Sequence, residues 1–294
     1  MSRLVDTAFA SSTKATYTHA SRDFDAFRAA HGIPLVWPAD PNHVIQYAAF
    51  LSLENRSYST ARTYITALST LHRLRGWEDP TNNFLLQKLM TGFGRSKSQV
   101  DSRLPITFDK LRQLIDCLHT VCDNTFEHDL FRAAFTLAFF GFFRISELVG
   151  QVKHGKTVTD GLRVDDVQLG SVLNIRLRKS KTDQQGAGTS IRLKAVDSAP
   201  EVCPVRALVQ YMSLRPKNGD KLLIHHNGES LTRYQFQAVL KKAACLLKWD
   251  ATRFSSHSFR IGAATTAASN GHSIESIMRK GRWRSAAVTS YIRR

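Results

Sequence analysis

Five short stretches of this 294-residue chain hold side chains whose types and spacing suit chemistry on an anion. Arg144 directly follows a strongly apolar segment, in Phe142-Phe-Arg-Ile-Ser-Glu-Leu148, so its guanidinium starts from an apolar setting and needs a negative partner. Glu147 lies three residues on, at helical spacing, either to orient Arg144 or simply to form a structural ion pair with it. Lys181 falls in the polar run Lys179-Ser-Lys-Thr-Asp-Gln-Gln-Gly-Ala-Gly188, where a long cation can reach out of a turn, although alone it reads as a solvated surface lysine. In His257-Ser-Phe-Arg260, a helix beginning at Ser255 or Ser256 puts His257 and Arg260 on one face, near a positive N-terminus that favours an oxyanion. Gly281-Arg282-Trp283 follows, and Tyr291 stands nine positions after Arg282. By itself Tyr291 is an aromatic packed by a C-terminal helix with Val288 and Ile292; in the company of these cations it is a candidate nucleophile.

Other chemistries lack their residues. There is no HExxH, and His225-His226 follows the apolar Leu222-Leu-Ile224, where a strand end or loop explains it without a metal. Asp165 and Asp166 are adjacent, so on a strand they face opposite ways and make a poor acid/base pair. Gly186-Ala-Gly188 is better explained by turn chemistry than as a phosphate cradle. Cys117, Cys122, Cys203 and Cys245 show no CxxC and no partnered Cys/His spacing, which suits buried free thiols in a reducing compartment, cytosol or nucleus. No cofactor and no metal are expected.

The elements that must position these residues divide the chain. Helical spacing with capping residues runs over Ser12 to Ala30, Asp40 to Glu54, Ser59 to Arg75 and Thr81 to Phe93, predicting a small helical bundle. A polar stretch closed by Pro105 then reads as a linker. Beyond it, helices are expected over Thr107 to Leu118 and Glu127 to Phe140, the second apolar enough to be central to a core. Strands are expected over Leu162 to Leu169, Val172 to Arg178 and Ser190 to Leu193, the last two forming a hairpin around Lys181. Helices resume over Pro204 to Leu214, Thr232 to Leu247, Ser258 to Ser269, Ser273 to Lys280 and from Ser285 onward. The expected fold class is an α-helical N-terminal domain (1–97), a linker (98–104) and a mostly helical α+β domain with a small antiparallel sheet (105–294).

Charge names the kind of partner. Forty-one Lys and Arg against 24 Asp and Glu give +17, of which residues 1–97 carry +4 and residues 98–294 carry +13. Such an excess suits a long polyanion, nucleic acid or an anionic membrane surface. The longest apolar block, Ala133 to Phe143, is too short to span a membrane.

Taken in order, Arg144 with Ile145-Ser-Glu147, Lys181 in a hairpin, His257-x-x-Arg260, Gly281-Arg-Trp283 and Tyr291 resemble the tyrosine recombinases, the integrase family of λ phage and Cre. His257-Ser-Phe-Arg-Ile-Gly-Ala-Ala-Thr-Thr-Ala-Ala268, followed by Gly-Arg-Trp and a final Tyr-Ile-Arg293, is similar to the recombinases of DIRS-type retrotransposons. The resemblance covers residues 105–294 in motif detail, and residues 1–97 only as a helical, core-binding-like pattern. It implies a metal-independent DNA strand transferase for integration or excision of a mobile element. Tyr291 would attack a phosphodiester to give a 3′-phosphotyrosyl link, and Arg144 and Arg260 would clamp the non-bridging oxygens. Lys181 would be the general acid for the leaving 5′-oxygen, and His257 would assist proton transfer or bind the phosphate.

Family members usually place a His or Trp nine positions before the nucleophile. Here Arg282 holds that position and Trp283 the next, so either side chain is a candidate for the phosphate contact. The implied partners are double-stranded recombination sites, with a homotetramer on two duplexes (a dimer per site) and no membrane. The nucleus is the implied location for a eukaryotic element, and the cytoplasm or nucleoid otherwise. Cre-like members continue past the nucleophile with a helix that enters the neighbouring subunit; here Arg294 lies three residues after Tyr291, so coupling is expected to be supplied otherwise or by a tail outside this sequence. Two alternatives are a type IB topoisomerase, which uses similar residues as a monomer, and a domesticated DNA-binding protein without catalysis.

Overall fold

A computed structural model of the chain describes residues 8–97, 101–153, 156–178 and 188–293. Two compact units are present, Met1–Asp101 and Ser102–Arg294.

The first unit is helical: α1 (Ser11–Ala30), α2 (Pro41–Leu53), α3 (Tyr58–Leu74) and α4 (Phe84–Ser96). Asp40, Ser57 and Asn83 cap α2, α3 and α4 by accepting from backbone N–H groups of the first turn. Phe24, Tyr47, Leu51, Ala61, Leu68 and Phe93 form its core. Helix α4 starts later than its apolar spacing suggests. Asp79 accepts from the Thr81 backbone and hydroxyl, which holds residues 79–82 in a turn, and Asn83 then caps the helix.

The second unit contains α5 (Phe108–Val121), α6 (Thr125–Phe140), the one-turn α7 (Ile145–Leu148), α8 (Pro204–Leu214), α9 (Arg233–Leu246), α10 (Ser256–Ser269) and α11 (Ile274–Gly281). As its composition predicts, α6 is central. Leu130, Phe131, Ala134, Phe135 and Leu137 are buried, and the Phe135 ring lies 4.8 Å from Phe236 and 5.1 Å from Phe259. An extended segment docks on α10, with the Ile106 N–H donating to the Ser258 carbonyl at 3.0 Å. Gly262 makes that approach possible, because a Cβ there would stand 1.6 Å from the Ile106 carbonyl oxygen.

Two antiparallel sheets flank the helices: β1 (Val149–Lys153) with β2 (Lys156–Gly161), and β3 (Val167–Gln168), β4 (Val172–Leu177) and β5 (Thr189–Lys194) in that order. In β4 the alternation seen in the sequence buries Leu173, Ile175 and Leu177, paired across to Leu193, Ile191 and Thr189. The continuous strand expected over Leu162 to Leu169 is interrupted. Gly161, at φ +67°, ends β2, and Asp166 accepts from the Arg163 backbone to close a 3-10 turn over Val164–Asp166 before β3. Asp166 is therefore a buried structural carboxylate, paired with Arg178.

Residues Gly150 to Thr157 also spell GxxxxGK[ST], a phosphate-loop pattern. Here the spelling straddles a β-hairpin, with Lys153 opposite Lys156 and Val152 opposite Thr157. A phosphate loop needs its Lys and Thr at a helix N-terminus, so the match carries no nucleotide site. The cysteines correct a smaller expectation: Cys203 is buried, Cys117 and Cys122 are half-buried, and Cys245 is exposed. Among the described residues no helix is long and apolar enough to cross a membrane.

Candidate active site

The site grows from two left-handed turns and the start of a helix. At the end of α6 the chain turns through Phe142, held at φ +49°, and Arg144 becomes the N-cap of α7. This short helix closes a reciprocal box. The Arg144 backbone N–H donates to Glu147 Oε2 at 2.9 Å, and Arg144 Nη1 donates to Oε1 at 2.8 Å. Glu147 is thereby buried as a carboxylate with donors on both oxygens.

In α10, Ser255 is the N-cap and accepts from the His257 backbone, so His257 and Arg260 both fall in the first turns. Arg260 is fully buried. Its Nη1 donates to the Phe142 carbonyl and its Nη2 to the Gly281 carbonyl. The guanidinium carbon lies 4.0 Å from the centre of the Trp283 ring, a cation–π stack. Burial first, and then the neighbouring guanidiniums of Arg144 and Arg282, push the Arg260 pKa down to about 9, so it stays cationic at neutral pH.

The second left-handed turn ends α11. Arg282 takes a left-handed conformation at φ +57°, and the Trp283 N–H reaches back to the Met278 carbonyl at 2.9 Å. A non-glycine residue in that region is costly and persists only where its surroundings hold it. Here the hold is the side chain: Arg282 Nη1 donates to the Gly141 carbonyl at 3.0 Å, and Nη2 donates to the Phe142 carbonyl at 3.1 Å and to Glu147 Oε2 at 2.9 Å. Burial lowers its pKa, while Glu147 opposes the shift. Gly281 is required, because a Cβ there would overlap the Trp283 ring at 1.7 Å.

Tyr291 ends a 3-10 helix, Ala286–Tyr291, instead of lying in the α-helix expected from Ser285 onward. The β-branched Val288 and Thr289 weaken an α-helix there, and Thr265 tethers the segment. The Thr265 hydroxyl donates to the Tyr291 carbonyl at 3.3 Å and accepts from the Arg293 N–H at 3.1 Å. The Tyr291 ring sits 4.9 Å from both the His257 and Trp283 rings, and the Arg260 guanidinium is 5.8 Å from its centre.

Arg144, Glu147, His257, Arg260, Arg282, Trp283 and Tyr291 are thus brought together; Lys181 lies outside the described residues. Three guanidiniums around one carboxylate leave an excess of two positive charges. Nε of Arg260, Nε of Arg282 and Nε1 of Trp283 are buried donors without an acceptor. The excess positive charge, with N–H groups of Arg144 and Arg260 still unspent, suits a phosphate or another oxyanion. The Gly141, Phe142 and Gly281 carbonyls and Thr265 also take part; backbone acceptors leave no residue-type signal, and Thr265 sits unmarked in a run of small residues.

Over residues 105–293 the sequence matches the phage integrase family. It is 27% identical to an integrase/recombinase XerD homolog of Selenomonas ruminantium over 304 residues, covering 96% of this chain and 81% of that protein. Its fold is similar to that of the Tn1549 transposon integrase in complex with transposon right end DNA (TM-score 0.66, 14% identity, 96% of this chain and 88% of that one). It is similar also to a lambda integrase dimer bound to a COC′ core site (TM-score 0.62, 14% identity, 99% of this chain and 74% of that one). With the arginine cluster and the terminal tyrosine on one site, and with the family matched across almost all of the second unit, the chain belongs to the phage integrase family, the tyrosine recombinases.

Proposed function

We propose that the protein is a site-specific DNA recombinase that cuts and rejoins strands through a covalent 3′-phosphotyrosyl intermediate on Tyr291. The observation that carries this reading is the gathering of His257, Trp283 and Arg260 around the Tyr291 ring, with the Arg144 guanidinium acting on Arg260 and a net positive charge on the cluster. The Tyr291 oxygen attacks the scissile phosphorus and forms the P–O bond of the 3′-phosphotyrosyl link, its phenolic proton passing to His257 or to solvent. The P–O5′ bond breaks, and the 5′-oxygen takes a proton from Lys181, its general acid. Negative charge growing on the phosphorane is met by the Arg144 and Arg260 guanidiniums, so neither a metal nor ATP is called for. His257 assists the proton transfers or binds the phosphate.

The first unit serves as the core-binding domain, and the broad excess of cations neutralises the duplex backbone, with affinity falling steeply as salt rises. Two duplexes and four cuts require a tetramer, a dimer per site. The DIRS-like Gly-Arg-Trp spelling supports a mobile element as the source, with integration or excision as the task.

A nicked suicide duplex carrying the cognate site tests the reading. The wild type should be trapped covalently on DNA and Tyr291→Phe should not; equal trapping by both removes Tyr291 as nucleophile. Sizing of the trapped complex separates a tetrameric synapse from a monomeric topoisomerase.

A further inference from the structure

Arg282 occupies the position from which the family usually addresses the phosphate, yet its hydrogen bonds point elsewhere. A guanidinium carries five N–H groups, four of them on the two Nη atoms. In Arg282 the Nη atoms meet four protein acceptors: the Gly141 and Lys280 carbonyls at 3.0 and 3.3 Å, the Phe142 carbonyl at 3.1 Å and Glu147 Oε2 at 2.9 Å. Only Nε remains, and it is buried. By contrast, Arg144 spends one guanidinium bond on Glu147, and Arg260 spends one from each Nη on a carbonyl. Bidentate capacity for a phosphate is therefore retained by Arg144 and Arg260 and used up in Arg282.

Two of the acceptors held by Arg282 are shared. Glu147 also holds Arg144, and the Phe142 carbonyl also holds Arg260. Resting on the recombinase reading above, we propose that Arg282 is a positioning residue: it braces the two clamp arginines through Glu147 and the Phe142 carbonyl, and it does not ligate the scissile phosphate. The left-handed backbone at Arg282 aims its side chain at these acceptors while the next residue, Trp283, lies against Arg260.

A double-mutant cycle tests the brace. Single-turnover cleavage of the suicide duplex is measured at saturating protein for the wild type, Arg282→Gln, Glu147→Gln and the double variant, together with DNA affinity. A displaced clamp costs on the order of 100-fold in rate. Each single variant should show a loss of about that size with DNA affinity unchanged, and the double variant should fall within about threefold of the slower single. Losses that multiply, or an Arg282→Gln rate equal to wild type, would overturn the brace. If Arg282→Gln melts below the assay temperature, Arg282→Lys takes its place in the cycle under the same criterion. Tyr291→Phe is run alongside: trapping that survives in it defeats the recombinase reading itself, whereas multiplicative losses with Tyr291-dependent trapping defeat the brace alone.

Discussion

Arg282 Nη2 lies 2.9 Å from Glu147 Oε2, joining residues 135 positions apart in an ion pair whose side chains are 7% and 4% exposed. Both charges have left water, so the pair is held by geometry and surplus hydrogen bonds more than by Coulomb attraction alone. Glu147→Ala strands the buried guanidinium of Arg282 and unfastens Arg144 at once. Removing one partner of such a pair costs about 3–5 kcal/mol. A fall of that size in the unfolding free energy of the catalytic unit by urea titration is expected, and a loss below about 1 kcal/mol would contradict this account.

Arg260 is anchored at two carbonyls and stacked on Trp283, so charge alone cannot replace it. Lysine keeps the cation and loses the planar fork. Arg260→Lys should therefore cleave about as poorly as Arg260→Ala, each slower than wild type by about 100-fold or more in covalent trapping. Near-wild-type trapping by the lysine variant would show that the fork is dispensable.

Gly281 and Gly92 offer a matched contrast. A methyl at Gly281 would meet the Trp283 ring at 1.7 Å, pushing the indole off Arg260 and Tyr291. At Gly92, inside α4, an added Cβ meets nothing within 4 Å. Gly281→Ala should alter tryptophan fluorescence and depress cleavage, while Gly92→Ala should leave cleavage intact and stabilise α4 by roughly 0.5–1 kcal/mol. Thermal melts and trapping assays on both variants check the pair.

Thr265 fixes the Tyr291 segment through its hydroxyl. Valine keeps the branched shape and removes both bonds, a change worth about 1 kcal/mol. Thr265→Val should slow cleavage several-fold and leave DNA affinity unchanged in a filter-binding titration. Reduced affinity with an unchanged rate would place the effect elsewhere.

Burial pushes the His128 pKa below its ordinary 6.5, although Asp129, hydrogen-bonded to its Nδ1 at 2.9 Å, pulls the other way. The His119 ring stacks on it at 4.1 Å, so a second positive charge there is unwelcome. Because the fold favours the neutral ring, this stabilisation is present above pH 6.5 and is lost as the pH falls through the lowered folded-state value. Urea midpoints between pH 8 and 5 should decline in the wild type and decline less in His128→Gln.

The helices were legible because apolar spacing and capping side chains are local: α3 and α6 follow from sequence periodicity, and β4 from strict alternation. The candidate residues were legible for a similar reason, since Arg144, His257, Arg260 and Tyr291 are marked by type and order. Local information failed where distant contacts decide. The turn at Val164–Asp166 is closed by the buried Asp166, which Arg178 pairs from the end of β4, and the 3-10 form of Ala286–Tyr291 is tethered by Thr265. The GxxxxGK[ST] spelling at Gly150–Thr157 loses its meaning once Val152 and Lys153 pair with Thr157 and Lys156 in antiparallel strands. What the sequence determined by itself is the inventory of cations and the tyrosine. What only the tertiary structure decided is how those cations divide their hydrogen bonds. Arg144 and Arg260 keep donors free while Arg282 spends its Nη groups on Glu147 and on carbonyls from the end of α6 and from Lys280, because a guanidinium's partners are fixed by where backbone acceptors lie in space, and residue types do not encode that.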